Sequence, residues 1–201
     1  MYGFTSTFDP GFGYWIHATN KTESYILSKA GSPTFNDFGN DAVWQLNLTA
    51  VSNDNNISGA EIIIGEHLNA TDGQMNDIFD APSAPTPPAN SYIILYSDDN
   101  LSAPFQTLSR DFRYWPDAEK TWNLSISFIS NNLSNTTINL SWNISSLAEI
   151  EYESILLYDN TTNLTVDMLT QNYSQFIMTV NTSRGLQIIC SNGTLPLFEN
   201  V

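Results

Sequence analysis

A single cysteine, Cys190, and two histidines, His17 and His67, are all that the 201 residues offer of these side chains. One cysteine excludes an intrachain disulfide, and two histidines fifty residues apart make a poor start for a zinc site. HExxH, paired-cysteine, glycine-rich phosphate-loop and Gly-x-Ser-x-Gly patterns are also missing, so the chain is expected not to be an enzyme. Positive charge is scarce as well: 6 Lys plus Arg face 21 Asp plus Glu, for a net charge of -15. Such a surface repels phosphate backbones and anionic headgroups, which argues against nucleic-acid and membrane-surface partners. No apolar run reaches eighteen residues, so direct membrane insertion through a helix is not expected. The opening MYGFTSTFDPGFGYW lacks the basic and apolar regions of a secretory signal.

Helical periodicity is absent too. Short alternating runs separated by Gly, Pro, Asn and Asp predict an all-β chain with strands at 14–18, 24–29, 43–52, 61–66, 91–97, 121–129, 137–143, 154–158, 164–169, 175–180 and 185–191. A helical turn opening the stretch 148–158 is the one alternative to a strand. This spacing favours an immunoglobulin- or jelly-roll-like β-sandwich, with Trp44, Trp122, Phe128 and Trp142 as core anchors. Cys190, in phase with Leu186 and Ile188, is expected to be buried and unreactive. The Pro-rich segment 80–88 (DAPSAPTPP) reads as a stiff extended loop. Turn formers at 31–40 divide a short N-terminal β-hairpin segment, 1–33, from the sandwich, 34–201. Too small to bury a core alone, that segment must pack on its own chain or donate a strand to a neighbour.

What the chain has in abundance is Asn-x-Ser/Thr. The tripeptide occurs fifteen times, at Asn20, Asn47, Asn56, Asn69, Asn100, Asn123, Asn132, Asn135, Asn139, Asn143, Asn160, Asn163, Asn172, Asn181 and Asn192, never with Pro in the middle. An alternating strand whose polar face is Asn, Ser and Thr creates such sequons without selection for them, and about five are expected at this composition. Fifteen exceed that number. In Ile138-Asn139-Leu140-Ser141-Trp142-Asn143 and Trp122-Asn123-Leu124-Ser125 the sequon Asn falls on the polar face, where a bulky glycan must project. Covalent N-glycans, and hence export, are the expected consequence, and the sequence reads as a mature or excised piece of a longer precursor.

Two further patterns each admit a binding reading and a plain one. Asp72, Asn76, Asp77 and Asp80 gather carboxylate and amide oxygens around flexible Gly73, suiting calcium, but the same residues build solvated turns. The weaker acidic groups at Asp98-Asp99-Asn100 and Asn36-Asp37 with Asn40-Asp41 divide the same way. Tyr114 and Trp115, followed by Pro116 in a predicted loop, would suit stacking against carbohydrate, or would simply pack, as would Tyr14-Trp15.

Phe12-Gly13-Tyr14-Trp15-Ile16, followed by an apolar strand and Gly31, resembles the Gly-Tyr-Trp hairpin of secreted bacterial and archaeal surface proteins. Phe38-Gly39, Trp44-Gln45-Leu46, Ala70-Thr71-Asp72-Gly73, Arg110-Asp111-Phe112-Arg113 and Trp122-Asn123-Leu124 look like the β-sandwich module that often follows it. The resemblance implies a cell-surface or extracellular location. It departs from the common pattern in sequon density and in having no recognisable sorting signal. The expected function is a glycosylated structural building block of a surface layer or filament, joined to copies of itself or to other cell-surface proteins. The alternative is a carbohydrate- or cell-surface-binding adhesion module, stabilised by calcium.

Overall fold

The computed structural model describes residues 42–54, 56–72, 78–98, 100–103, 105–143 and 152–193. The N-terminal segment 1–33, the 31–40 boundary and the helical turn considered at the start of 148–158 lie outside these residues. Within them the chain is all-β and forms no helix. The strands are β1 (Trp44–Ser52), β2 (Ala60–His67), β3 (Ala81–Pro82), β4 (Ser91–Ser97), β5 (Leu108–Tyr114), β6 (Glu119–Ser130), β7 (Asn135–Trp142), β8 (Ser154–Asp159), β9 (Leu164–Asp167), β10 (Tyr173–Thr179) and β11 (Thr182–Ser191).

They join in one mixed sheet of order β10-β7-β1-β2-β5-β4-β6-β11-β8-β9, with β3 added at β5. The sheet folds over on itself nearly into a barrel, and its two halves face each other as sandwich layers. β5 connects the halves: it runs parallel to β2 from Ile63↔Arg110 to His67↔Tyr114, but touches β4 at the single pair Ser97↔Leu108. On the far side of the core, Arg184 of β11 lies 4.5 Å from the ring centre of Phe176 on β10 and forms an ion pair with Asp159 of β8.

Period-two alternation produces the core. Leu46, Leu48, Ile62, Ile64, Ile138 and Leu140 from one layer meet Trp122, Leu124, Ile126, Phe128, Leu186 and Ile188 from the other, all buried. Each fully buried aliphatic side chain of this kind contributes about 1.5–3 kcal/mol of transfer free energy. Trp44, Trp122, Phe128 and Trp142 are buried as the sequence predicts, and so is Cys190, whose thiol is pushed well above its ordinary range by desolvation and then by Glu66. A smaller cluster on the outer face of β2 and β5 packs Phe112 against Ala70 and Phe79.

Two elements correct the sequence reading. β5 was not expected, because Arg110, Asp111 and Arg113 interrupt the apolar alternation; Asp111 and Arg113 in fact point inward and satisfy each other there. Tyr114, expected in a loop, is therefore the last residue of that strand. The Pro-rich segment is also not wholly loop, since Ala81 and Pro82 pair with β5 at a sheet margin, where proline's missing N–H is tolerated.

Candidate functional site

Fourteen of the fifteen sequon asparagines fall in the described residues; Asn20 does not. Thirteen of those fourteen are exposed, Asn139 is half-buried, and none is in the core. Alternation explains this on the strands: Asn47 of β1, Asn123 of β6 and Asn135 and Asn139 of β7 are the outward members of runs whose inward members are apolar. The others cap or connect strands. Asn100, Asn163 and Asn181 adopt φ of 56°, 56° and 57°, the left-handed region that asparagine tolerates better than most residues.

The amides are not equivalent. Asn123 Oδ1 accepts from Gln187 Nε2 at 2.8 Å, and Asn163 Oδ1 accepts from Tyr158 Oη at 2.8 Å, so these bonds use the amide oxygen and not the nitrogen to which a glycan attaches. Asn132 Oδ1 likewise accepts from Ser91 and Ser130 hydroxyls. Asn139 differs, because its Nδ2 donates to Asn53 Oδ1 at 2.9 Å while its oxygen accepts from Gln175.

One end of the sandwich core is charged, which the sequence reading missed. Glu66 of β2 is fully buried opposite Trp44, accepting from the Trp44 indole N–H and from Tyr152 Oη at 2.9 and 3.1 Å. Desolvation raises its carboxyl above the ordinary value and prevails over those hydrogen bonds. The tyrosine hydroxyl is in turn raised by burial and by the neighbouring Glu66. Beside it, Lys120 Nζ donates to Asp72 at 2.8 Å and to Asp117 at 2.7 Å. Burial alone would lower the Lys120 ammonium, but the two carboxylates outweigh it and hold the group above its ordinary range. Deeper in, Asp111 accepts from the Ser97 hydroxyl and from Arg113, whose guanidinium stands 5.2 Å from the Trp122 ring centre. The signal was Lys120 in phase with Trp122 and Leu124, an inward position that a lone cation occupies only with partners.

Of the acidic cluster predicted from sequence, Asp72 and Asp80 are described and Asn76 and Asp77 lie outside. Asp72 accepts from Tyr114 N at 2.9 Å as well as from Lys120, and Asp80 accepts from Phe112 N at 3.0 Å. Both carboxylates thus fasten the segment after β2 onto β5 and β6. Asp72 is depressed below its ordinary value, since these donors overcome its desolvation. Among the described residues no group of three or more His, Cys, Asp and Glu is placed to hold a metal ion. Tyr114 is 47% exposed, whereas Trp115 is half-buried, with its ring edge-on to Tyr152 at 6.2 Å. His67 is buried and stacked on Phe79 at 4.0 Å; His17 and Tyr14-Trp15 lie outside the described residues.

No protein-family model, curated protein or solved structure matches the chain. The reading of the surface therefore rests on its own residues.

Proposed function

We propose that this chain is an N-glycosylated structural subunit of an extracellular assembly, a surface layer or filament, acting through contacts between copies. The observation that carries the reading is the sequon set: fifteen sites, with none of the fourteen described ones in the core. Glycans at even part of them would shield the backbone from proteases and keep a surface poor in mixed charge hydrated. The interior supports a rigid role: buried charges at one end of the core are paired, and three of the four described cations, Arg113, Lys120 and Arg184, are committed to carboxylates. Intact-mass measurement on material from the native source tests the reading. The mass should exceed the 22.4 kDa polypeptide by several regular increments. A native mass equal to the bare polypeptide would sink it.

A binding module for carbohydrate or a cell surface is the second reading, favoured by the exposure of Tyr114 beside Trp115. It predicts retention on immobilised polysaccharide that Tyr114→Ala and Trp115→Ala abolish.

A further inference from the structure

β10 stands at one end of the sheet order, with β7 as its one strand partner among the described residues. Trp142 N donates to Asn172 O and Val180 N donates to Ser134 O. In the antiparallel ladder with β7, Ser174, Phe176 and Met178 therefore turn their N–H and C=O groups toward β7, and Tyr173, Gln175 and Ile177 turn theirs away. Among the described residues no backbone group meets those three. A seven-residue edge is usually blunted by lysine, proline or an inward charge, and Tyr173–Thr179 (YSQFIMT) has none of them. β9, at the other end of the order, is only four residues long, which is itself a protection.

The two layers are also unequal. β10, β7, β1 and β2 form one, and β4, β6, β11, β8 and β9 form the other. Arg184 of β11 lies against Phe176 of β10, so β8 and β9, the next strands of that layer, extend past the edge of β10. On their core face Val166, paired with the buried Leu157, is only half-buried, and Leu164 is 38% exposed. One more strand beside β10 would lie over both.

We infer that residues 24–29 (SYILSK), which lie outside the described residues, dock on this edge of their own chain, antiparallel to β10. β1 and β10 both run antiparallel to β7, so the Trp44 end of β1 and the Tyr173 end of β10 lie at the same end of the sheet. A strand that leads into β1 from that end runs opposite to β1, and hence opposite to β10. The twelve intervening residues, 30–41, can extend about 40 Å. From β1 to a position beyond β10 is three strand spacings, about 15 Å. SYILSK holds Tyr and Ile and has no Gly, Pro, Asn or Asp, a composition suited to pairing. Tyr25 and Leu27 share one face under period two and supply the apolar cover that Leu164 and Val166 lack. The edge is then closed to strand exchange between copies. None of this depends on glycosylation.

Amide hydrogen exchange on the full chain tests the inference, read at Gln175 and Ile177, whose side chains are exposed. Both amides should be protected to within about tenfold of Phe176, which is bonded to β7. Ile26→Pro combined with Leu27→Pro should release them by about tenfold or more while Phe176 stays protected, because one of two consecutive N–H groups must face β10. Unprotected amides in the parent, or protection that survives the proline pair, would overturn the inference. So would protection that rises with protein concentration, the mark of a strand from a second copy. If the proline pair unfolds the chain, a nitroxide on Ser28→Cys decides the matter, since Cys190 is fully buried and stays unlabelled. The label should broaden the β10 amides within its own chain. Absence of broadening, or broadening of isotope-labelled chains by separate nitroxide-carrying chains, would overturn it equally.

Discussion

Glu66 is the residue at which the physics of the core is most exposed to experiment. Desolvation raises its carboxyl above the ordinary 4.5, so the folded chain binds that proton more tightly than the unfolded chain does. Its contribution to stability is greatest below pH 4.5 and declines as pH rises through the folded value. Glu66→Gln keeps one acceptor oxygen, which the Trp44 and Tyr152 donors can share as both now reach Oε2, and removes the titration. Chemical denaturation of the two proteins from pH 4 to 8 should show the parent losing stability with rising pH relative to the variant; parallel curves would refute the assignment. Asp72 and Asp159 act in the opposite sense. Both are depressed below 3.8, so what they contribute is present above that pH and is lost as pH falls through their folded values. Inside and outside on β7 differ as sharply. Trp142 is buried, with its indole N–H donating to Met168 O at 3.2 Å, and Trp142→Ala should cost about 3–5 kcal/mol. Asn139→Gln should stay within about 0.5 kcal/mol. Equal losses in urea denaturation would reverse the assigned faces. Glycopeptide mapping should find Asn139 less occupied than Asn47 or Asn135, since only Asn139 is half-buried and has its nitrogen bonded to Asn53.

Among the elements, β5 depends most on its neighbours. Its parallel pairing with β2 brings Gly65 opposite Phe112, and a Cβ on Gly65 would collide with the Trp44 carbonyl and lie 2.8 Å from the Phe112 ring. The obstacle on one side is backbone, which cannot swing away. Gly65→Ala should therefore destabilise by about 2 kcal/mol or more, whereas Gly193→Ala, whose nearest neighbour would be the Ser191 hydroxyl at 3.7 Å, should be nearly neutral. Thermal melts of the two variants that coincide would remove the steric argument. Across the core, Arg184 ties β11 to β8 through Asp159 and covers Phe176 of β10. Its loss leaves a largely buried carboxylate without its cation.

For the whole molecule the dominant fact is a negative chain with few cations to spare. Arg113 and Lys120 lie at the charged end of the core and Arg184 at the β10–β11 side. The rest of the described surface is rich in Asn, Ser, Thr and carboxylates, a composition hydrated through hydroxyls and amides more than through ion pairs.

Alternation of apolar and polar residues made most strands legible in the sequence. β1, β4, β6, β7, β10 and β11 have apolar inward faces, so period two sufficed to place Trp44, Trp122, Phe128, Trp142 and Cys190 in the core and the sequon asparagines outside. β5 was illegible because its inward residues, Asp111 and Arg113, are polar; only the fold supplies the Ser97 hydroxyl and the Thr121 carbonyl that satisfy them. The same holds for Glu66, Lys120 and Asp72, which come from distant parts of the chain and meet at one end of the sandwich. Periodicity is a local property set by the geometry of one strand. Charge compensation depends on contacts between segments far apart in sequence, and this only the tertiary structure decided.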